Sequence, residues 1–181
     1  MNIGSKLTIV LASSRSNGNT SKLAQAVAAE RQAKIIDLNK FSISYFDYEH
    51  KNKSDDFLHL IEALTESDYI IFATPVYWYS MSAQLKTFFD RFTDLLTINK
   101  DLGRKLRGMP VSVIATGTDA ALPLSFTQQF ESITDYLGFQ LGSQLYCCCP
   151  ADFELQQHKK AIQQYVKDIE SPSALAYKYH E

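Results

Sequence analysis

The sequence has little of what secreted, membrane-spanning or nucleic-acid-binding proteins require. Its three cysteines are consecutive, so they cannot build a disulfide framework, and they fit a reducing compartment. No apolar run approaches the roughly 18 residues of a membrane helix, and the first five residues do not resemble a signal peptide. Eighteen Lys and Arg against twenty Asp and Glu give a net charge of −2, which indicates neither a nucleic-acid surface nor a strongly acidic docking face. We therefore expect a cytoplasmic protein with small-molecule partners.

Residues that bind metals are also sparse. The histidines are scattered without the spacing of a metal site. Neighbouring residues of a strand point to opposite faces, so three consecutive cysteines do not converge on one ion. We therefore predict no metal, and we interpret the cysteines as structural residues far from any ligand. The residues in question are His50, His59, His158, His180, Cys147, Cys148 and Cys149.

The hydrophobic pattern alternates between strands and helices along the whole chain. A length of 181 residues suits a single domain, with a tail from about 170 to 181. The alternation predicts an α/β fold with a doubly wound parallel sheet. Strands are predicted at 7–12, 34–38, 68–75, 111–116 and 139–147, and helices at 19–31, 55–66, 80–96, 122–137 and 153–169.

The segment from Ser13 to Ser21 follows the first predicted strand and leads into an Ala-rich helix. Backbone N–H groups and the positive end of the helix dipole meet there, so a phosphate is stabilised without a metal. The hydroxyls of Ser13, Thr20 and Ser21 can donate to it, and Arg15 adds a fixed charge. The segment therefore predicts a phosphate site.

The same segment is also compared with other phosphate-binding and structural loops by its residue types. A P-loop and the dinucleotide fingerprint are excluded, because this segment contains only one glycine, Gly18, and no lysine follows the first strand until Lys22. An ordinary strand-to-helix connection, with Asn19 or Thr20 as the N-cap, remains the alternative.

Three adjacent aromatic residues, Tyr77, Trp78 and Tyr79, follow the third predicted strand. Three neighbouring rings cannot all face one core, so at least one should be exposed to a ligand or partner. Packing of the rings on neighbouring loops is the alternative.

Together these two segments resemble the flavodoxin-like, FMN-dependent NAD(P)H oxidoreductases. The matching residues read SSRSNGNT at 13–20 and PVYWYSMSAQLK at 75–86, followed by FFDR at 88–91. Ala12 stands where the family pattern usually has glycine, and the resemblance spans roughly 7–118. It implies a flavodoxin-like sheet of order 2-1-3-4-5, bound FMN, and NADPH or NADH as the co-substrate.

The resemblance also implies which residues hold the cofactor. The loop after the first strand should bind the phosphate, residues 75–80 should line the isoalloxazine ring, and residues 116–118 should approach its pyrimidine edge. No catalytic side chain is expected, because the flavin carries the chemistry. The predicted cofactor-binding residues are Ser13, Arg15, Asn19, Thr20, Ser21, Pro75, Val76, Tyr77, Trp78, Tyr79, Ser80, Thr116, Gly117 and Thr118.

Three further expectations follow, the first from the resemblance and the other two from the residue pattern of the helix predicted over 80–96. Some relatives carry an iron–sulfur cluster on cysteines after the second strand, but none lies between 39 and 56 here. Asp90 and Arg91 are interpreted as the polar side of a helix. Phe89 and Leu96 give that helix more apolar surface than one sheet face needs, which predicts a homodimer.

Hydride transfer from the nicotinamide through FMN to a small acceptor such as a quinone is the expected reaction. A flavodoxin-type electron carrier and a non-catalytic FMN-binding protein are the alternatives.

Overall fold

The computed structural model describes residues 6–170, and a parallel sheet forms their centre. The strands stand in the order β2-β1-β3-β4-β5, which confirms the predicted topology. Helices cover both faces of such a sheet. For this reason β1 and β3, which are buried along their whole length, are apolar almost without interruption. The strands are β1 (Leu7–Leu11), β2 (Lys34–Asp37), β3 (Tyr69–Pro75), β4 (Pro110–Gly117) and β5 (Gln140–Cys148).

Two helical layers enclose the sheet. On one face α1 and α7 pack through residues such as Leu23 and Ile162, and on the other face α2, α3, α4 and α6 pack through residues such as Phe57, Phe88 and Phe130. The described helices are α1 (Asn19–Arg31), α2 (Phe57–Thr65), α3 (Ala83–Asp90), α4 (Phe92–Thr97), α5 (Lys100–Lys105), α6 (Leu124–Leu137) and α7 (Leu155–Glu170), and a 3-10 turn covers Leu38–Lys40.

The prediction of a single helix over 80–96 is wrong. Residues 80–82 belong to a loop, and the helix is divided at Arg91 into α3 and α4. The N–H of Asp94 donates to the carbonyl of Arg91, a bond across three residues, which tightens the chain as in a 3-10 turn. A further short helix, α5, follows α4 in a stretch for which no helix is predicted.

The expectation that Phe89 belongs to a surplus apolar face is also wrong. Its ring lies 4.9 Å from Phe72 of the sheet and 6.1 Å from Phe130 of α6, and only 7% of the residue is exposed. The position of α6 beside α3 explains the burial, and hydrophobic spacing within one helix cannot reveal such a neighbour. Leu96 does remain 43% exposed.

The chain leaves β1 toward β2 on one side of the sheet and leaves β3 toward β4 on the other. The connections after these two neighbouring strands therefore diverge and leave a crevice at their carboxyl ends. Any ligand of this fold is expected in that crevice.

Candidate functional site

A cavity of about 490 Å³ opens at the carboxyl ends of β1, β3 and β4. The three loops that the sequence pattern singled out all contribute to its wall. Gly18 and Cys149, which were not predicted, complete the lining. The predicted residues that line this first cavity are Ser13, Arg15, Asn19, Thr20, Pro75, Val76, Tyr77, Trp78, Thr116, Gly117 and Thr118.

Three of the predicted cofactor-binding residues lie outside this lining. The Ser21 hydroxyl donates to the carbonyl of Ser16 at 2.7 Å, and the Ser80 hydroxyl donates to Oε1 of Gln129 at 2.7 Å. Tyr79 points into solvent, with 61% of the residue exposed. Ser21 and Ser80 therefore support the loops around the cavity.

The start of α1 gives one end of the cavity the character of an anion site. Gly18 occupies the N-cap position and no side chain caps the helix, so neither Asn19 nor Thr20 takes the cap. The N–H groups of the first turn therefore have no intrahelical partner, and the positive end of the helix dipole faces the cavity. Arg15 is the only charged residue in the lining.

Two buried hydroxyls stand beside this helix end. Oγ1 of Thr20 lies 2.7 Å from Oγ1 of Thr116. One hydroxyl of such a pair donates to the other, which leaves one hydroxyl hydrogen free to donate to a ligand. This contact also ties the loop after β1 to the end of β4.

The side chain of Asn19 holds the chain after β5 close to the first cavity. Its amide nitrogen Nδ2 donates to the carbonyl of Ala151 at 2.8 Å, and its amide oxygen Oδ1 accepts from the N–H of Phe153 at 3.0 Å. The expectation that the cysteine triplet lies far from the ligand site is therefore wrong for Cys149. The carboxyl end of β5 lies at the same sheet edge as those of the other parallel strands.

The thiols of Cys147 and Cys149 are neutral groups. Burial raises the pKa of Cys147 to about 12. Burial, and to a lesser extent the neighbouring Cys148, also raises the pKa of Cys149. Because Cys149 carries no negative charge near neutral pH, it does not oppose an anion in the cavity.

The aromatic residues after β3 form a tight two-residue hairpin, Tyr77–Ser80, called here the aromatic hairpin. Tyr77 and Ser80 exchange backbone hydrogen bonds of 2.9 and 3.0 Å, and Trp78 and Tyr79 at its tip have φ angles of 49° and 63°. Positive φ at both central residues is the mark of a type I′ turn, which turns the rings outward. Trp78 is 94% exposed, which confirms that at least one ring leaves the core.

Hydrogen bonds tie the loops after β1 and β3 to each other. The Ser82 hydroxyl caps α3 by accepting from the N–H of Leu85 and donates to the carbonyl of Ala12 at 2.8 Å. Closer to the surface, the hydroxyls of Ser14 and Tyr77 lie 2.9 Å apart. Ser82 is not among the predicted site residues, although a serine directly before a helix is a recognisable N-cap signal.

Gly117 permits a close approach at the opposite wall. A Cβ at this position would lie 2.8 Å from the hydroxyl oxygen of Tyr146. That hydroxyl donates to the carbonyl of Asp119 at 2.7 Å, and burial, as the largest cause, raises the pKa of Tyr146 to about 12. Tyr146 therefore stays protonated and holds the loop after β4.

Arg91 is buried, so its assignment to the polar side of a helix is wrong. Its guanidinium pairs with Asp55 at 2.5 Å and with Asp94 at 2.7 Å, and it lies 4.7 Å from the ring centre of Phe57. Nδ1 of His50 contacts the other oxygen of Asp94 at 2.7 Å. Hydrophobic spacing cannot reveal that this arginine is buried, because Asp55, one of its two carboxylate partners, lies 36 positions away in the sequence.

Asp55 is ionised within this group of charges. Burial, the largest single influence, acts to raise its pKa, but hydrogen bonds from Arg91 and from the N–H groups of Ser44 and Phe57 outweigh it together. The pKa of Asp55 is therefore lowered from its ordinary value. As a result, the two charges of the Arg91–Asp55 pair are both present at neutral pH.

The sequence model of a protein family described as NADPH-dependent FMN reductase matches residues 5–171. The chain belongs to this family. It is 34% identical over 145 residues to YwqN of Bacillus subtilis (strain 168), whose name describes an NAD(P)H-dependent FMN-containing oxidoreductase, and the match covers 74% of this chain and 79% of that protein. Proteins of this family are oxidoreductases that use FMN and NAD(P)H.

Solved structures with the same fold include two that cover nearly the whole chain. The Trp repressor binding protein from Bacillus subtilis has a TM-score of 0.72 and 25% identity, over 90% of this chain and 99% of that one. The NADPH-quinone reductase from P. pentosaceus has a TM-score of 0.64 and 16% identity, over 96% of this chain and 99% of that one.

The residues of the first cavity fit the cofactor of the NADPH-dependent FMN reductase family. One end offers a cation, free helix N–H groups and hydroxyls, which suit a phosphate, and the other end offers flat apolar walls, which suit an aromatic ring. Within residues 6–170, no cluster of side chains could hold a metal ion, and no helix there is long and apolar enough to cross a membrane.

Proposed function

We propose that the first cavity holds FMN with its phosphate at the start of α1 and its ring between the aromatic hairpin and the loop after β4. The single observation that carries this orientation is the uncapped helix start at Gly18 next to Arg15, the one charged residue of the lining. The opposite wall carries no formal charge among the described residues, and an uncharged ring needs none.

The chain's own residues hold the cofactor and shape access to it. Backbone N–H groups of α1, the guanidinium of Arg15 and the one free hydroxyl hydrogen of the Thr20–Thr116 pair would bind phosphate oxygens. Pro75, Val76 and Trp78 would border the ring. The redox chemistry, a two-electron exchange between NAD(P)H and an acceptor, is that of FMN itself, so no side chain of the lining is assigned a proton-transfer role.

We also propose a small uncharged acceptor, such as a quinone, for this reaction. The near-neutral chain, with a net charge of −2, lacks the strongly acidic surface expected of a carrier that docks on partner proteins. The free thiols of Cys147, Cys148 and Cys149 support a cytoplasmic location.

The phosphate assignment is tested by comparing FMN with riboflavin, which lacks the phosphate. Arg15→Ala should weaken FMN binding by about 1.5–3 kcal/mol, because a charge-assisted hydrogen bond is lost, and should leave riboflavin binding unchanged. Calorimetric titration of the apoprotein measures both affinities. Arg104→Ala, the same exchange at a residue outside the cavity lining, is the control and should change neither affinity. Equal binding of riboflavin and FMN by the native protein would show that the phosphate site is assigned wrongly.

A further inference from the structure

A second cavity, of about 420 Å³, adjoins the first and shares Tyr77 with it. Its volume and concave shape are typical of small-molecule sites. Apolar side chains dominate the wall, and none of the described residues that line it is charged. The lining consists of Ser14, Leu38, Phe41, Ile43, Tyr45, Tyr77, Ala83, Gln84 and Thr87.

The wall that carries Ile43 is held in place on both sides of that residue. Ser42 donates its N–H to the Asp56 carboxylate at 2.7 Å and accepts from the N–H of Asp56 at 3.0 Å. Ser44 donates its N–H to Asp55 at 2.7 Å, and its carbonyl accepts from Arg91 at 3.2 Å. Arg91 directly follows α3, which forms the opposite wall, so the buried ion pairs connect the two walls. The cavity is therefore formed before any ligand enters.

The boundary between the two cavities is narrow. Ser13 lines the first and Ser14 the second, and the hydroxyls of Ser14 and Tyr77 lie 2.9 Å apart at the boundary. The two cavities are therefore neighbours that meet at Tyr77 and at the step from Ser13 to Ser14.

Building on the proposed function, we propose that the second cavity binds the apolar tail of an uncharged quinone whose reacting ring lies against bound FMN at the mouth of the first cavity. The overall reaction is NAD(P)H + H⁺ + quinone giving NAD(P)⁺ + hydroquinone, so the tail itself takes no part in the electron transfer. A charged tail would lose its hydration without gaining a counter-ion among the lining residues, which is costly. For the same reason, this cavity does not suit the phosphates of NAD(P)H.

The test compares two quinones with the same head group: dimethoxy-methyl-benzoquinone without a tail, and the same quinone with one isoprenyl tail. Each methylene that the cavity buries should strengthen binding by about fourfold. We therefore expect the tailed quinone to bind the oxidised, FMN-loaded protein at least about tenfold more tightly in calorimetric titrations. The KM of the tailed quinone, measured with NAD(P)H as the reductant, should fall in parallel.

A variant that fills the second cavity links this preference to its walls. Ala83 is an exposed residue at the start of α3 and lines the cavity, so Ala83→Trp should fill part of it. The ratio of the affinities for the tailed and the tailless quinone, which is the tail preference, should then fall toward one. Ala29→Trp makes the same exchange at an exposed position of α1 outside both linings and should keep the preference.

The outcomes separate the two proposals. If the native protein reduces both quinones but binds them equally well, or if Ala83→Trp keeps the full preference, the second cavity is not a tail site. If the tail preference is present in the titrations but NAD(P)H reduces neither quinone, the proposed acceptor is wrong while the binding site stands.

Discussion

At the scale of single residues, Arg91 makes the largest contribution that the sequence pattern did not show. Its side chain is completely buried, and Asp55 and Asp94, which pair with it, are 8% and 2% exposed at their side chains. Burying three charges is costly, and the cost is offset only while all partners are present. Removing Arg91 would leave the buried carboxylates of Asp55 and Asp94 without the counter-ion that they share.

We expect Arg91→Met to lower the free energy of unfolding by about 3–5 kcal/mol, as found when one partner of a buried pair is removed. Urea denaturation of the FMN-loaded protein measures this loss. Arg104→Met removes an arginine that pairs with Asp101 on the surface, where the side chains are 69% and 96% exposed, and it should cost less than about 1 kcal/mol. A similar small loss in both variants would show that the buried pair adds little to stability.

At the scale of secondary-structure elements, the aromatic hairpin carries local strain. Type I′ turns favour Asn and Gly at their two central positions, yet this hairpin has Trp78 and Tyr79 there, both with positive φ. Backbone strain of this kind is typically retained at functional sites. Here it aims Trp78 at the mouth of the first cavity.

The strain at Tyr79 is measurable by two substitutions that remove the same ring. Tyr79→Val should be less stable than Tyr79→Asn by about 1–2 kcal/mol, because asparagine tolerates the left-handed region and a β-branched residue does not. Because Tyr79 lies outside the cavity lining, FMN affinity should change little in either variant. Equal unfolding free energies of the two variants in urea would contradict the strain at this position.

At the scale of the whole molecule, the homodimer remains a proposal, and its surface differs from the one first expected. Phe89 is in the core, whereas Tyr45, Trp78 and Tyr79 near the cavities are 82%, 94% and 61% exposed. Exposed aromatic residues grouped around a cavity are typical of an interaction site. We therefore place the proposed dimer contact at the aromatic hairpin.

Sedimentation equilibrium of the FMN-loaded protein should show a dimer at micromolar concentration. Tyr79→Lys should weaken this dimer, because it places a charge in the contact. Tyr136→Lys makes the same exchange at a residue that is 78% exposed near the far end of α6, and it should leave the dimer intact. A monomeric native protein that retains FMN would exclude the dimer, and equal weakening by both variants would exclude the hairpin as its contact.

The sequence by itself determined the strands and the loops that line the first cavity, while its resemblance to a known family supplied the sheet order. Buried parallel strands leave continuous apolar runs, and the loop after β1 carries its hydroxyls and Arg15 within a few residues. Such features are local in the chain, so a pattern of neighbouring residues is enough to predict them.

Only the tertiary structure decided the burial of Arg91 and Phe89, the presence of Cys149 at the first cavity and the existence of the second cavity. Asp55 pairs with Arg91 across 36 positions, and Asn19 reaches Phe153 across 134. The energy of a buried charge or ring depends on what packs against it, and those partners come from other elements. A residue's own position in a helix or strand pattern therefore cannot settle its environment.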